Sequence, residues 1–221
     1  MSVSTDEERP MGRSARKRQA IMEAALAAFL DKGYGRTSMD EIAAAAEVSK
    51  QTVYKNFTSK ERMFTEIVIG AISAAEASSK GLVESLSESE DLRVDLRRFA
   101  RKHLDVVLQP HLVQMRRIIV AEAMQFPDLA RTWYEQGPQL GHLNLGREFS
   151  QLAERGLLRF DDAEQTAAYF NWLILSIPLN HAMFIAGAPP PSEKELERYA
   201  EEGVRIFLAA FGASPDERSD T

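Results

Sequence analysis

Cysteine is absent from all 221 residues, which excludes disulfides, thiolate metal sites and cysteine nucleophiles. A reducing compartment is thereby permitted, and a cytoplasmic location is expected. The four histidines, His103, His111, His142 and His181, form no His-x3-His or Glu-x-x-His pair, so neither a metal site nor a cofactor is expected. No glycine-rich phosphate loop occurs. A Ser/His/Asp triad has nothing to locate it, so no enzyme is expected. The first residues, MSVSTDEERPMGRSARKRQ, lack an apolar run and are not expected to be a secretory signal. Strand-like alternation is almost missing from the long body of the chain, which points to an all-α fold.

Charge is missing from one stretch. Between Gln165 and Ser192 there is no Asp, Glu, Lys or Arg. That run is long enough to cross a bilayer. Asn171, Pro178, Asn180 and His181 interrupt it, however, and unpaired polar groups are costly in lipid. A helix that is hydrophobic all round is equally well covered by a partner subunit, and no membrane segment is expected.

The charge that is present is uneven. The net charge is −6, yet residues 9–62 hold 11 Lys/Arg against 6 Asp/Glu, while residues 63–221 hold 16 against 24. A basic N-terminal quarter on an acidic body suggests a local phosphate-binding face; chance clustering on a solvated surface would give the same numbers.

The stretch Thr37 to Lys60, TSMDEIAAAAEVSKQTVYKNFTSK, carries most of the information. Ahead of it, Arg13, Arg16, Lys17 and Arg18 lead into a helix with Ile21, Ala25, Ala28 and Phe29 on one face, ended at Lys32-Gly33. Ser38 and Glu41 make a capping-box pattern for a second helix. Glu47-Val48 is the turn, and Ser49 caps a short third helix through Tyr54. In that helix Val53 faces inward, and Lys50, Gln51, Thr52, Tyr54 and Lys55 face outward. Phe57 plugs the small core, and Ser59 caps the next helix. Lys60 sits in the first turn of that helix, where acidic residues are preferred. A bound phosphate would explain it, as would plain solvation.

These residues resemble the DNA-binding domain of the TetR/AcrR family of transcriptional regulators over 13–69. The carriers are AFLDKGYGRTSM and DEIAAAAEVSKQTVYKNFTSKERMF, with Val48-Ser49-Lys50, Thr52, Tyr54, Phe57 and Ser59-Lys60-Glu61 in the family's usual places. The resemblance implies a helix-turn-helix whose second helix enters the major groove of double-stranded DNA. It also implies that Thr37, Tyr54 and Lys60 hold phosphates, with Lys55 adding phosphate affinity. Glu47 and Gln51 depart from glycines common in the family. Glu47 is expected to be left-handed, and Gln51 to read an adenine through N6 and N7. The basic run Arg13, Arg16, Lys17 and Arg18 either enters the minor groove or stays disordered. Met115 to Pro138 is similar to the C-terminal domain of AcrR-like regulators, which implies ligand binding and dimerisation.

The expected organisation is a tail over 1–12, a DNA-binding domain over 13–62, a helical ligand-binding and dimerisation domain over 63–212, and a tail over 213–221. Pro110 and Gly137-Pro138 are expected to break helices, Pro127 to start one, and Asp161 with Glu164 to cap the uncharged helix. Ser192 with Glu195 caps the last helix. Polar groups among apolar positions suggest a site for a small, mostly apolar effector at Phe99, His103, Val107, Met115, Ile119, Glu122, Phe126, Trp133, Phe149, Tyr169, Trp172 and Leu173. A plain core explains many of these equally well. The two last helices offer Phe170, Leu175, Leu179, Phe184, Val204, Phe207 and Phe211 to a homodimer, which by resemblance is a four-helix bundle. Two readers must then stand about 34–36 Å apart, or a multiple of that, on a palindromic operator. The expected function is a repressor released by its effector. An activator or ligand-independent regulator of the same fold, and an apolar-ligand carrier without DNA binding, are the alternatives.

Overall fold

The structure, a computed structural model, describes residues 12–185 and 187–213. The expected tails lie outside these residues, except for Gly12 and Ala213. The described residues form ten α-helices and no strand, bearing out the all-α expectation. The chain divides into two compact units, one up to Ile67 and one from Val68 onward.

The first unit contains α1 (Arg13–Lys32), α2 (Met39–Ala45), α3 (Lys50–Asn56) and the start of α4 (Lys60–Glu84). Its core is apolar and aromatic. Ile21, Ala25 and Phe29 of α1, Ile42 of α2, Val53 of α3, and Met63 and Phe64 of α4 are fully enclosed. Phe29, Tyr34 and Phe64 pack ring against ring at 4.9–5.7 Å. Because Met63 and Phe64 belong to this core, the unit runs past residue 62.

Local chemistry sets the helix ends. Ser38 accepts from the Glu41 N–H at 3.2 Å, and Glu41 accepts from the Ser38 N–H at 2.8 Å, completing the capping box. Lys32 donates to Glu41 at 2.9 Å. That contact, with the two Ser38 bonds, holds the Glu41 carboxyl down to about 2. A depressed carboxyl stabilises the fold above its ordinary range; the contribution is lost as pH falls through about 2. Ser49 accepts from the Thr52 N–H at 3.2 Å, starting α3.

The turn between α2 and α3 has a specific form. The Val48 N–H reaches Ala43 O at 3.0 Å, and the Glu47 N–H reaches Ala44 O at 3.2 Å. This 6→1, 5→2 pair is a Schellman ending, which needs a left-handed residue at its centre. Glu47 occupies it with φ of 53°. The same ending closes α8 (Leu140–Glu154), where Gly156 takes the position with φ of 68°. A side chain in this region costs on the order of 1 kcal/mol relative to glycine. Glu47→Gly is therefore expected to stabilise the first unit by about 1 kcal/mol, read as a higher denaturant midpoint.

The second unit holds the rest of α4, a 3₁₀ turn at Leu86–Glu88, α5 (Leu92–Val107), α6 (Pro110–Glu122), α7 (Pro127–Tyr134), α8, α9 (Ala163–Phe184) and α10 (Glu193–Phe211). Its core gathers Leu96, Phe99 and Leu104 from α5, Leu145, Phe149 and Leu152 from α8, Phe170 and Ile174 from α9, and Val204 and Phe207 from α10. Gly203 of α10 lies against Ile174 of α9, so closely that an added Cβ would overlap the Ile174 γ-methyl.

Four local expectations are corrected. The basic run at 13–18 is neither an extended arm nor disordered, because all four cations lie within α1. Pro110 does not merely end a helix; it opens α6 at the first turn, where its missing N–H is harmless. Gly137-Pro138 does not break the chain. A π-helical turn over Glu135–Gln139 carries α7 into α8, absorbing the proline's missing donor. The uncharged helix is capped by Asp162, not Asp161, through a bond from the Gln165 N–H at 2.9 Å. Pro127 at the start of α7 and the Ser192–Glu195 capping box of α10 stand as expected.

Candidate functional site

In the first unit α3 presents Gln51, Tyr54 and Lys55 to solvent while Val53 anchors it inward. Thr52 is half-buried, and its hydroxyl lies 2.8 Å from that of Ser49. Lys50 is exposed but paired with Asp40 at 2.8 Å, which raises its pKa. Arg13, Arg16 and Lys17 project from the first turns of α1 into solvent. Arg18 does not join them: its guanidinium pairs with Glu66 and lies over the Phe57 ring at 4.8 Å.

Two residues expected to hold phosphate are engaged inside the unit. Thr37 is 2% exposed, and its hydroxyl donates to Gly33 O at 2.9 Å and Ala28 O at 3.2 Å. It ties the 34–37 loop to the C-terminal end of α1. The Lys60 ammonium donates to Tyr34 O at 2.8 Å and Thr37 O at 2.9 Å, and lies 4.4 Å from the Tyr34 ring centre. It fastens the 34–37 loop, which explains a cation in the first turn of a helix without invoking a phosphate.

In the second unit a cavity of about 640 Å³ opens among α4 to α9. Of the candidate effector residues, Phe99, His103, Val107, Trp133 and Trp172 line it. Met115, Ile119 and Phe149 do not; they are buried in packed interior, and Phe149 meets Phe170 and Phe207 edge and face. Glu122 and Phe126 lie at the end of α6 and beyond it, away from the cavity wall. Tyr169 is exposed and stacks on Phe211 at 6.2 Å, and Leu173 packs on the core.

The proposed interface residues are also redistributed. Phe170, Leu175, Leu179, Val204 and Phe207 are buried within the protomer itself, and the first three line the cavity. They offer no surface to a partner. Of the seven, Phe184 is 78% exposed and Phe211 is half-buried. The apolar residues that α9 exposes outside the cavity are instead Tyr169, Ile177 and Phe184, with Ile206 exposed on α10.

The cavity's polar groups were largely hidden from sequence reading. His103 Nε2 lies 2.9 Å from Asn171 Oδ1. It faces the cavity and lies deep within the second unit. Burial, followed by the nearby His142 and Arg116, outweighs the Asn171 bond and lowers its pKa. Burial also lowers His142 and Arg116, and raises Glu76. The Arg116 guanidinium sits 5.6 Å from the Trp133 ring centre. His103 stands on the apolar face of α5 and was expected there; Glu76, Arg116 and His142 carry no comparable mark in the sequence.

Among the described residues no cluster of His, Asp or Glu is arranged to hold a metal. No helix of the described residues is long and apolar enough to cross a membrane.

Comparison with known proteins identifies both units. Residues 21–67 match the bacterial regulatory proteins of the tetR family, and residues 94–213 match the C-terminal domain of the AefR-like transcriptional repressors. A protein assigned to the TetR family from Mesorhizobium loti is 40% identical, with TM-score 0.84, over 92% of this chain and 100% of its own. The flavonoid-responsive regulator FrrA is 32% identical, with TM-score 0.71, over 89% of this chain and 97% of its own. YhgD of Bacillus subtilis, described as an uncharacterized HTH-type transcriptional regulator, is 43% identical over 51 residues; the match spans 23% of this chain and only 27% of that protein. The chain belongs to the TetR family of DNA-binding, non-enzymatic transcriptional regulators, with a C-terminal domain of the AefR-like kind.

Proposed function

We propose that this chain is a cytoplasmic, homodimeric repressor that leaves a palindromic operator when a small, mostly apolar effector fills the second unit. The observation that carries this reading is the cavity of about 640 Å³, walled by Phe99, Val107, Trp133 and Trp172 with a few polar groups among them. Its size and lining suit a small organic molecule. The responsiveness to a small molecule in FrrA's name supports it. The exposed stripe of Ile177 and Phe184 on α9 supports a twofold partner, since apolar residues in a row mark association surfaces.

The mechanism is a population shift. An effector acts only by binding more tightly to the state that grips DNA poorly. The test is operator affinity measured with and without a cavity ligand. Release is the expected result. A ligand that fills the cavity and leaves operator affinity unchanged overturns the reading.

For base reading, α3 supplies Gln51, with Lys50 and Thr52 beside it, while Tyr54 and Lys55 of the same helix hold phosphate. Arg13, Arg16 and Lys17 add phosphate affinity from α1. Gln51→Ala is expected to relax preference at one position in each half-site, by about 1–3 kcal/mol of discrimination. Selection of bound sites from random duplex DNA measures it. A uniform loss across all sequences would make Gln51 a backbone contact.

A further inference from the structure

One cation on the cavity wall has no polar partner. Lys80, Arg116 and Arg147 all border the cavity. Lys80 meets the Glu84 carboxylate at 3.6 Å, and Arg147 donates to Asn144 Oδ1 at 3.0 Å. Arg116 of α6 forms no hydrogen bond or ion pair with any described residue; its guanidinium carbon lies 5.6 Å from the Trp133 ring centre. Other half-buried arginines are not left in this way. Arg18 pairs with Glu66, and Arg101 with Asp105 and Glu193. Arg117, the next residue of α6, donates to Met183 O at 3.0 Å, to Gln114 Oε1 at 3.0 Å and to Ala182 O.

A guanidinium carries five N–H donors in one plane and no acceptor. The Trp133 ring attracts its charge but leaves the donors at its edge unmatched. A half-buried charge without a partner is costly, and a carboxylate removes that cost by meeting the fork with two parallel hydrogen bonds. The Arg116 donors are open to such a partner. Buried side-chain atoms that lack a hydrogen bond and are sealed from any ligand occur on Glu76, Arg101, His142 and Glu148, and no Arg116 nitrogen is among them. Glu76 and Glu148 border the same cavity, yet neither pairs with Arg116, and one oxygen of each is sealed off. Leu112, one turn earlier on α6, lines the cavity with Phe99, Val107, Trp172 and Leu175. The open fork therefore stands in an otherwise largely apolar wall.

We infer that the effector is an apolar monocarboxylic acid, its carboxylate held by the Arg116 fork beside Trp133 and its apolar body laid along the wall. This rests on the reading of the cavity as the effector site. A neutral apolar molecule would leave Arg116 without a partner, and a lipophilic cation would be repelled by it. Aliphatic and aromatic bodies both suit the wall, so the acid group defines the class.

The chain has two tryptophans, Trp133 and Trp172, and both line the cavity, so their fluorescence reports occupancy directly. Full-length protein is titrated at neutral pH with two matched sets: dodecanoic acid, dodecanamide and dodecylammonium, and biphenyl-4-carboxylic acid with biphenyl-4-carboxamide. At least one acid is expected to bind about tenfold or more tightly than its own amide, because a charge-assisted pair forms only with the acid. Which set shows the preference identifies the body as aliphatic or aromatic. Arg116→Met is expected to erase the preference without weakening the amide. Arg116→Lys is expected to keep part of it, since the charge stays and the fork is lost. Acids that bind no better than their amides, tighter binding of the ammonium, or no binding of either acid would overturn the class. A preference that survives Arg116→Met would overturn the role of Arg116. The comparison of acid with amide in the unsubstituted protein decides the class even where a variant fails to fold. Operator affinity is followed in parallel. An acid bound with the expected preference but without release supports the ligand class and refutes the release mechanism. Release by acid and amide at equal affinity does the reverse.

Discussion

Phe207→Ala is expected to destabilise the second unit by about 3–5 kcal/mol, the range for removing a large aromatic from a packed interior. Phe207 is fully enclosed, and its ring lies 5.0 Å from Phe170, 5.2 Å from Phe149 and 5.2 Å from Phe211. Three helices thus lose a common neighbour, and α8, α9 and α10 cannot close over the space without giving up other contacts. Marginal stability makes such a loss a large share of the total. Urea unfolding followed by circular dichroism measures it, at several protein concentrations. A midpoint shift that persists at every concentration is expected. A normal midpoint with weaker self-association would return Phe207 to an interface.

Operator affinity is expected to fall by roughly 10³-fold or more between 50 and 200 mM salt. Arg13, Arg16, Lys17 and Lys55 are exposed cations in each first unit, and a dimer brings two sets. Each phosphate neutralised releases counterions, so the slope of log affinity against log salt counts the contacts. The net charge of −6 over the whole chain gives no hint of this. The acidic residues are concentrated beyond residue 62, and screening confines their influence to about 7–14 Å at these salt levels. Lys55→Ala is expected to lower the slope by about one per reader. Lys60→Met, by contrast, removes the clasp on the Tyr34 and Thr37 carbonyls. A salt-independent affinity would remove phosphate contact from the account.

The parts legible in the sequence were those written in short-range chemistry. Ser38 with Glu41, Ser192 with Glu195, Ser49, and Pro127 each announce a helix end through partners no more than three residues away. Glu47 was legible for the same reason: a Schellman turn has a fixed residue that must be left-handed. Distant partners leave no trace in the local sequence. Lys60 finds its carbonyls 23 and 26 residues back. Nothing local distinguishes that lysine from one that meets a phosphate. The uncharged helix is ambiguous for another reason. Being apolar on every side, α9 gives no periodic signal of which side turns in. Phe170 and Phe184 look alike in sequence, yet one is sealed in the core and the other is 78% exposed. Of the cavity's polar residues His103 was legible on the apolar face of α5, but Glu76 sits in an Ala/Ser-rich run that reads as solvated surface, and His142 and Glu148 join it only in the fold.

The contact of Gly203 with Ile174 constrains how this chain can change. The separation of α9 and α10 is set there by a hydrogen in place of a side chain. Alanine at 203 would favour the helix by itself, by up to about 1 kcal/mol, yet must displace a branched neighbour held at its own backbone. The two positions are therefore not independent variables. A larger residue at 203 becomes tolerable only with a smaller one at 174, and the energies of the two changes do not add. Ile177 and Phe184 on the exposed side of α9 carry no such constraint, whereas this pair is a locked coordinate.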